Sequence, residues 1–432
     1  MRDLTLLLWI TAEIVVAGSF LWVLIRHGVR SWMPVYGMFI LAPLTMAPFA
    51  YDEANRTAVA LYFETIRNSM DWAITLTMIG LALFALGLLA AATIWRPRTD
   101  SGFLPQLVST WEHQVWTPVS FWILVGLSLM LTAALAAAGV PFGSGLTEAF
   151  AGSGIRPIMN LWQSVLSVSV PFCVCYVLWR RSFLAILAAA LVVGASFYTG
   201  QRTVSLINLI IGVCAWLAFR NQGRLSVGGQ VGFVVGALAL LLSSALVYQV
   251  RAGGEIDLSL AITSFYGDFA YGNQFSDVRD FAWVLSGYDG QPLHGLSYLA
   301  GVASLFLSAD SPLRAEYAIG RWTLWTAGLD TNAHGGLRMP FFAELYFNFG
   351  MLGLVIVTPI LGWLTAAIVT TTRRYTLTFG RSPSAELLCA LLLFIARDVV
   401  FTSAMFRVYV VVALFAGLWL VNAVAYRSPR HV

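Results

Sequence analysis

The sequence predicts an all-α, polytopic integral membrane protein with about eleven transmembrane helices and one large outer segment containing short interfacial helices. Three observations carry this. Hydrophobic residues make up 59% of the chain, and only 11% are charged, against about 25% in soluble domains. Apolar runs long enough to cross a bilayer recur along most of the length. One stretch, 251–349, breaks that pattern and holds ten of the 21 acidic residues. A soluble enzyme and a disordered scaffold are both excluded.

The apolar runs lie near 4–25, 33–50, 72–95, 118–140, 157–179, 183–199, 203–219, 227–250, 350–372, 384–405 and 408–426. The first carries Glu13 and exceeds the length of a signal-peptide core, so it reads as a retained helix. Trp32, Trp72, Trp95, Trp179 and Trp216 fall at span ends, where an indole prefers the headgroup region. The chain thus divides into 1–250, a first bundle of about eight spans, 251–349, the outer segment, and 350–432, about three further spans. Apolar pieces of the outer segment, such as 295–307 and 314–329, are too short to span and read as interfacial or re-entrant helices.

Every one of the 25 basic residues is Arg. Lysine nucleophiles and Schiff bases are therefore excluded, whereas guanidinium groups can grip phosphate through paired hydrogen bonds. Arg26, Arg30, Arg96, Arg98, Arg180, Arg181, Arg220, Arg224, Arg373, Arg374, Arg381, Arg427 and Arg430 fall on one side of the predicted topology. The positive-inside rule makes that side cytoplasmic, puts the N-terminus and 251–349 outside, and leaves the C-terminus inside. The outer segment has five Arg against ten acids, and the rest of the chain 20 against 11, so a net charge of +4 conceals an acidic cap on a basic bundle. Nothing in this balance points to nucleic acid. Cys173, Cys175, Cys214 and Cys389 all lie in apolar runs and are expected to be buried free thiols.

Ionisable groups in or at the edge of a bilayer suggest function. Arg202, Arg251, Arg338, Arg397 and Arg407 form the outer-side cationic set. Each alone reads equally well as snorkelling to headgroups, but together they point to a shared anion site. The run His334-Gly335-Gly336-Leu337-Arg338-Met339-Pro340 leads into Glu344-Leu345-Tyr346-Phe347-Asn348-Phe349-Gly350. A helix starting at Pro340 and running into the ninth span would turn its free N–H groups outward beside Arg338, as a phosphate or pyrophosphate site. Glu344 and Asn348, four apart, share a helical face. Glu344 is a candidate general base or a partner for an arginine, and His334 is the alternative base. No His pair at i, i+4 and no Asp-x-Asp in the outer segment supports a metal, and no Walker or dinucleotide motif a nucleotide.

Gly200-Gln201-Arg202-Thr203 opening a span, Gly295-Leu296-Ser297-Tyr298-Leu299 in the outer segment, and Glu344-x-Tyr346-x-Asn348-Phe349-Gly350-x-x-Gly353 together resemble the Wzy-type oligosaccharide repeat-unit polymerases, over about residues 195 to 365. The resemblance implies a bacterial inner-membrane glycosyltransferase of O-antigen or exopolysaccharide synthesis. Such an enzyme moves a growing glycan from undecaprenyl pyrophosphate to a lipid-linked repeat unit on the periplasmic face, without a cofactor. Its partners would be the lipid-linked oligosaccharides, membrane lipid, and the chain-length regulator and flippase of the same pathway. On this reading Glu344 or His334 is the base, Arg202, Arg251, Arg338 and Arg397 hold pyrophosphate, and Asn348, Tyr298 and Asp268 contact substrate. Two alternatives remain open: an O-antigen ligase acting on lipid A core, and a lipid-linked oligosaccharide flippase or other transporter.

Overall fold

The computed structural model describes residues 11, 60–94, 103–142, 155–199, 208–220, 277–307, 310–330, 336–337, 339–340, 342–379, 382–400 and 405–425. Helices dominate these residues and no strand occurs among them. In chain order they are α1 (Ala60–Ile94), α2 (Phe103–Thr110), α3 (Pro118–Ala137), α4 (Arg156–Arg180), α5 (Phe183–Ser196), α6 (Asn208–Arg220), α7 (Asp277–Gly287), α8 (Leu296–Val302), α9 (Pro312–Tyr317), α10 (Ile319–Thr326), α11 (Ala343–Phe379), α12 (Ser384–Val400) and α13 (Met405–Ala425). Ser69–Ala91, Pro118–Ala137, Pro157–Arg180, Ala343–Phe379 and Met405–Ala425 are long and apolar enough to cross a membrane, and Phe183–Ser196, Asn208–Arg220 and Ser384–Ala396 are shorter apolar helices. This is the architecture of an α-helical membrane protein. The runs expected at 33–50 and 227–250, and that at 4–25 apart from residue 11, lie outside the described residues.

Local chemistry sets the helix ends. At α3, Thr117 accepts a hydrogen bond from the Ser120 N–H (3.2 Å) and Pro118 takes the first position, where its missing donor costs nothing. Thr117 Oγ1 also donates to Asn422 Oδ1 (2.7 Å), and Asn422 Nδ2 donates to Ser120 Oγ (2.8 Å), so the start of α3 is tied to α13. The last turns of α4 and α6 place Arg180 and Arg220 over the rings of Trp179 and Trp216, 4.2 and 5.2 Å from the centroids. Each cation covers an aromatic face while its head stays exposed.

Two apolar cores form. The larger joins the second half of α1 with α2, α3, α4, α5, α6, α11 and α12, and carries the cluster of Trp111, Trp116, Phe121, Phe172 and Tyr176. Between α2 and α3 the chain makes a π-helical turn, Trp111–Val115, and Trp111 Nε1 donates to the Ser384 carbonyl (3.0 Å) at the start of α12. The smaller core joins the first half of α1 to α7, α10 and the beginning of α11, around Phe281, Phe342 and Phe347. All four cysteines are buried and free.

The most extensive helix pair is α1 with α11. Gly87 lies against the Pro359 carbonyl and Gly362 against the Phe84 carbonyl, so closely that a Cβ on either glycine would overlap the oxygen. Reciprocal glycines let the two backbones meet, as small residues do between helices in a bilayer.

Candidate functional site

The site is built around a break in α11. Gly350 has φ 62° and ψ −151°, a backbone region open essentially to glycine alone. A Cβ on Gly353 would lie 2.7 Å from the Leu345 carbonyl oxygen, although eight residues of straight helix span about 12 Å. The chain therefore doubles back at Gly350, and residues 343–349 form a half-helix folded against the long arm 351–379. Phe342, before the half-helix, packs on Gly80, whereas the Tyr346 hydroxyl accepts from Trp72 Nε1 (3.3 Å). The half-helix thus runs back along α1 toward its start, inside the candidate span Ser69–Ala91.

This differs from the expected helix starting at Pro340 and running straight into the ninth span. Met339 and Pro340 are buried, the helix begins at Ala343, and its first turn lies deeper along α1 than its last. The physical reason is the glycine-only conformation at Gly350, which reverses the direction of the half-helix relative to the span.

The break frees backbone carbonyls that a continuous helix would have used. Leu293 N–H donates to the Phe347 carbonyl (2.9 Å) and His294 N–H to the Asn348 carbonyl (3.0 Å). His294 and Gly295 take positive φ, 49° and 85°, and turn the chain into α8. The Gly295-Leu296-Ser297-Tyr298 run is thereby pinned beside the half-helix.

Glu344, Asn348 and Ser297 meet there, each fully buried. The Ser297 hydroxyl donates to Glu344 Oε1 (2.6 Å), and Asn348 Nδ2 donates to Ser297 Oγ (2.8 Å) and to the Glu344 carbonyl (2.8 Å). Asn348 Oδ1 is buried with no hydrogen-bond partner, a state that costs about 1–3 kcal/mol and marks the atom as a ready acceptor. Tyr298 stacks on Phe349, centroids 6.0 Å apart and rings 12° from parallel, and Phe349 is 44% exposed. Burial first, and the Glu344 carboxylate second, hold the Tyr298 phenol well above its ordinary range, so it stays a donor. Nearby in the chain, Tyr288 is pushed up to about 12 by burial, then by Tyr346 and Asp289.

Of the residues expected from sequence, the structure brings Glu344, Asn348 and Tyr298 together. Arg397 lies on α12, and Arg407 in the first turn of α13, where Tyr409 donates to the Val302 carbonyl (3.2 Å) at the end of α8. His334, Arg202, Arg251, Arg338 and Asp268 lie outside the described residues. Ser297 was missed. It stands within a run that the sequence singles out, but its partners are 47 and 51 residues away, and no spacing rule reaches that far. Also missed was a polar cluster at the other end of the bundle, where Ser382 donates to Glu112 Oε1 (2.7 Å) and lies 2.7 Å from Ser384 Oγ; Arg373 and Glu386, expected on a connection and a span, are buried. No group of three His, Cys, Asp or Glu that could hold a metal occurs among the described residues.

Fold and site together define an α-helical membrane protein with a carboxylate, an amide and a hydroxyl buried beside a broken helix. No family model matches the chain, and neither the curated proteins nor the solved structures include a similar one.

Proposed function

We propose that the chain is a polysaccharide polymerase of the bacterial inner membrane. It transfers a growing glycan from undecaprenyl pyrophosphate to a lipid-linked repeat unit at the periplasmic face. One observation supports this most: the Glu344 carboxylate accepts from Ser297, itself held by Asn348, beside the stack of Tyr298 on the exposed Phe349. A transfer of this type needs a base for the acceptor hydroxyl, and Glu344 fills that role. Asn348 Oδ1 accepts from a second hydroxyl of the sugar, and Tyr298 with Phe349 offers a face for stacking. The pyrophosphate leaves with its charge matched by Arg202, Arg251, Arg338 and Arg397. Donor energy resides in the glycosyl-pyrophosphate bond, so no nucleotide enters.

Transport of a lipid-linked glycan is the second reading. It is favoured by the broken helix itself, since transporters place half-helices at mid-membrane depth. A deletion in the host separates the possibilities. A polymerase mutant carries glycan with a single repeat unit, and Glu344→Gln reproduces this with the protein still in the membrane. Loss of all repeat units from the core would indicate a ligase, accumulation of repeat units on the cytoplasmic face a flippase, and unchanged glycans would sink all three.

A further inference from the structure

Ser297 is the second residue of α8, inside the N-cap Gly295, which offers no side chain to cap the helix. The Ser297 hydroxyl points across to another element. Its hydrogen-bond direction is fixed by its neighbours. The Glu344 carbonyl can only accept, so the Asn348 atom 2.8 Å from it is the amide nitrogen. That same nitrogen lies 2.8 Å from Ser297 Oγ and must donate to it. The single Ser297 proton is then left for Glu344 Oε1, 2.6 Å away. Flipping the Asn348 amide would set two acceptor oxygens against each other at the Glu344 carbonyl, so the chain of donors has one sense: Asn348 amide, Ser297 hydroxyl, Glu344 carboxylate.

Resting on the polymerase reading, we propose that Ser297 is the positioning residue for the Glu344 base. Through one short hydrogen bond it helps set how the carboxylate plane is turned, and so how the acceptor hydroxyl must approach. Asn348 in turn orients Ser297, tying both to the half-helix. Misplacing a reacting group by about 1 Å costs on the order of a hundredfold in rate, so loss of this bond lowers turnover while substrate affinity stays near its normal value.

The test uses purified full-length protein and the undecaprenyl-pyrophosphate-linked repeat unit extracted from the expressing strain. Ser297→Ala is expected to lower kcat about tenfold to a hundredfold with KM little changed, per molecule of folded protein as measured by gel filtration. In a Glu344→Gln background, already lowered by about 10²–10⁴, Ser297→Ala is expected to add nothing, because a residue acting through Glu344 has nothing left to orient. Ser297→Thr, which keeps the hydroxyl, is expected to restore most of the rate; where its extra methyl reduces folding, the non-additivity with Glu344→Gln decides. Normal kcat in Ser297→Ala, or a full additional loss on top of Glu344→Gln, overturns the positioning role and leaves the polymerase reading standing. Normal kcat in Glu344→Gln overturns the base assignment, and with it this role. A wild-type protein that makes no polymer from the repeat unit overturns the polymerase reading.

Discussion

Gly350 decides the site through a single pair of torsions. With φ 62° and ψ −151°, any side chain there costs about 1–3 kcal/mol, and no neighbour need be touched for that cost to appear, since a Cβ would meet nothing within 4 Å. Gly350→Ala is therefore expected to lower the melting temperature in detergent and, on the proposed function, to shorten the glycan. Gly417→Ala, in open space on α13, is expected to do neither; equal melting of the two variants would contradict the backbone argument. Much at this scale was legible in the sequence. The spacing of Glu344 and Asn348 placed them on one face, and the structure links them directly, Asn348 Nδ2 to the Glu344 carbonyl. Ser297 was not legible, because a contact made across 47 residues leaves no periodic trace.

At the scale of elements, the crossing of α1 and α11 positions the half-helix. Gly87 and Gly362 admit each other's helix backbone, and a branched side chain at either would force the pair apart, at a cost of about 1–3 kcal/mol or more. Gly87→Val and Gly362→Val are both expected to reduce the yield of folded protein, whereas Gly126→Ala, which meets nothing within 4 Å on α3, is expected to leave it unchanged. Normal yield from the two valine variants would show that the close approach is not required. The sequence marked residue 350 as the start of an apolar run. It could not show that the preceding seven residues turn back against that run, since the reversal depends on one torsion and on the room that Gly353 leaves for the Leu345 carbonyl. Helix existence, by contrast, was readable wherever apolar residues ran for a full span, as in Pro118–Ala137 and Met405–Ala425.

At the scale of the whole molecule, the site and the Glu112 and Ser382 cluster occupy opposite ends. Tyr346 meets Trp72 in the first half of α1, while Trp111, whose indole donates to the Ser384 carbonyl, shares a core with Leu88 and Ala91 near its end. The arginine distribution predicts that the site end faces the periplasm. A cysteine at Phe306, 83% exposed beside α8, is expected to react with a membrane-impermeant maleimide on intact cells whose outer membrane has been opened. One at Leu377, 60% exposed near the end of α11, is expected to react only after the inner membrane is breached. Labelling of both from the same side would overturn the topology. Because Cys173, Cys175, Cys214 and Cys389 are all interior, the native chain is expected to ignore the reagent until it is denatured. The natural sequence thus provides its own silent background: one introduced thiol at a time can report sidedness with no native cysteine removed.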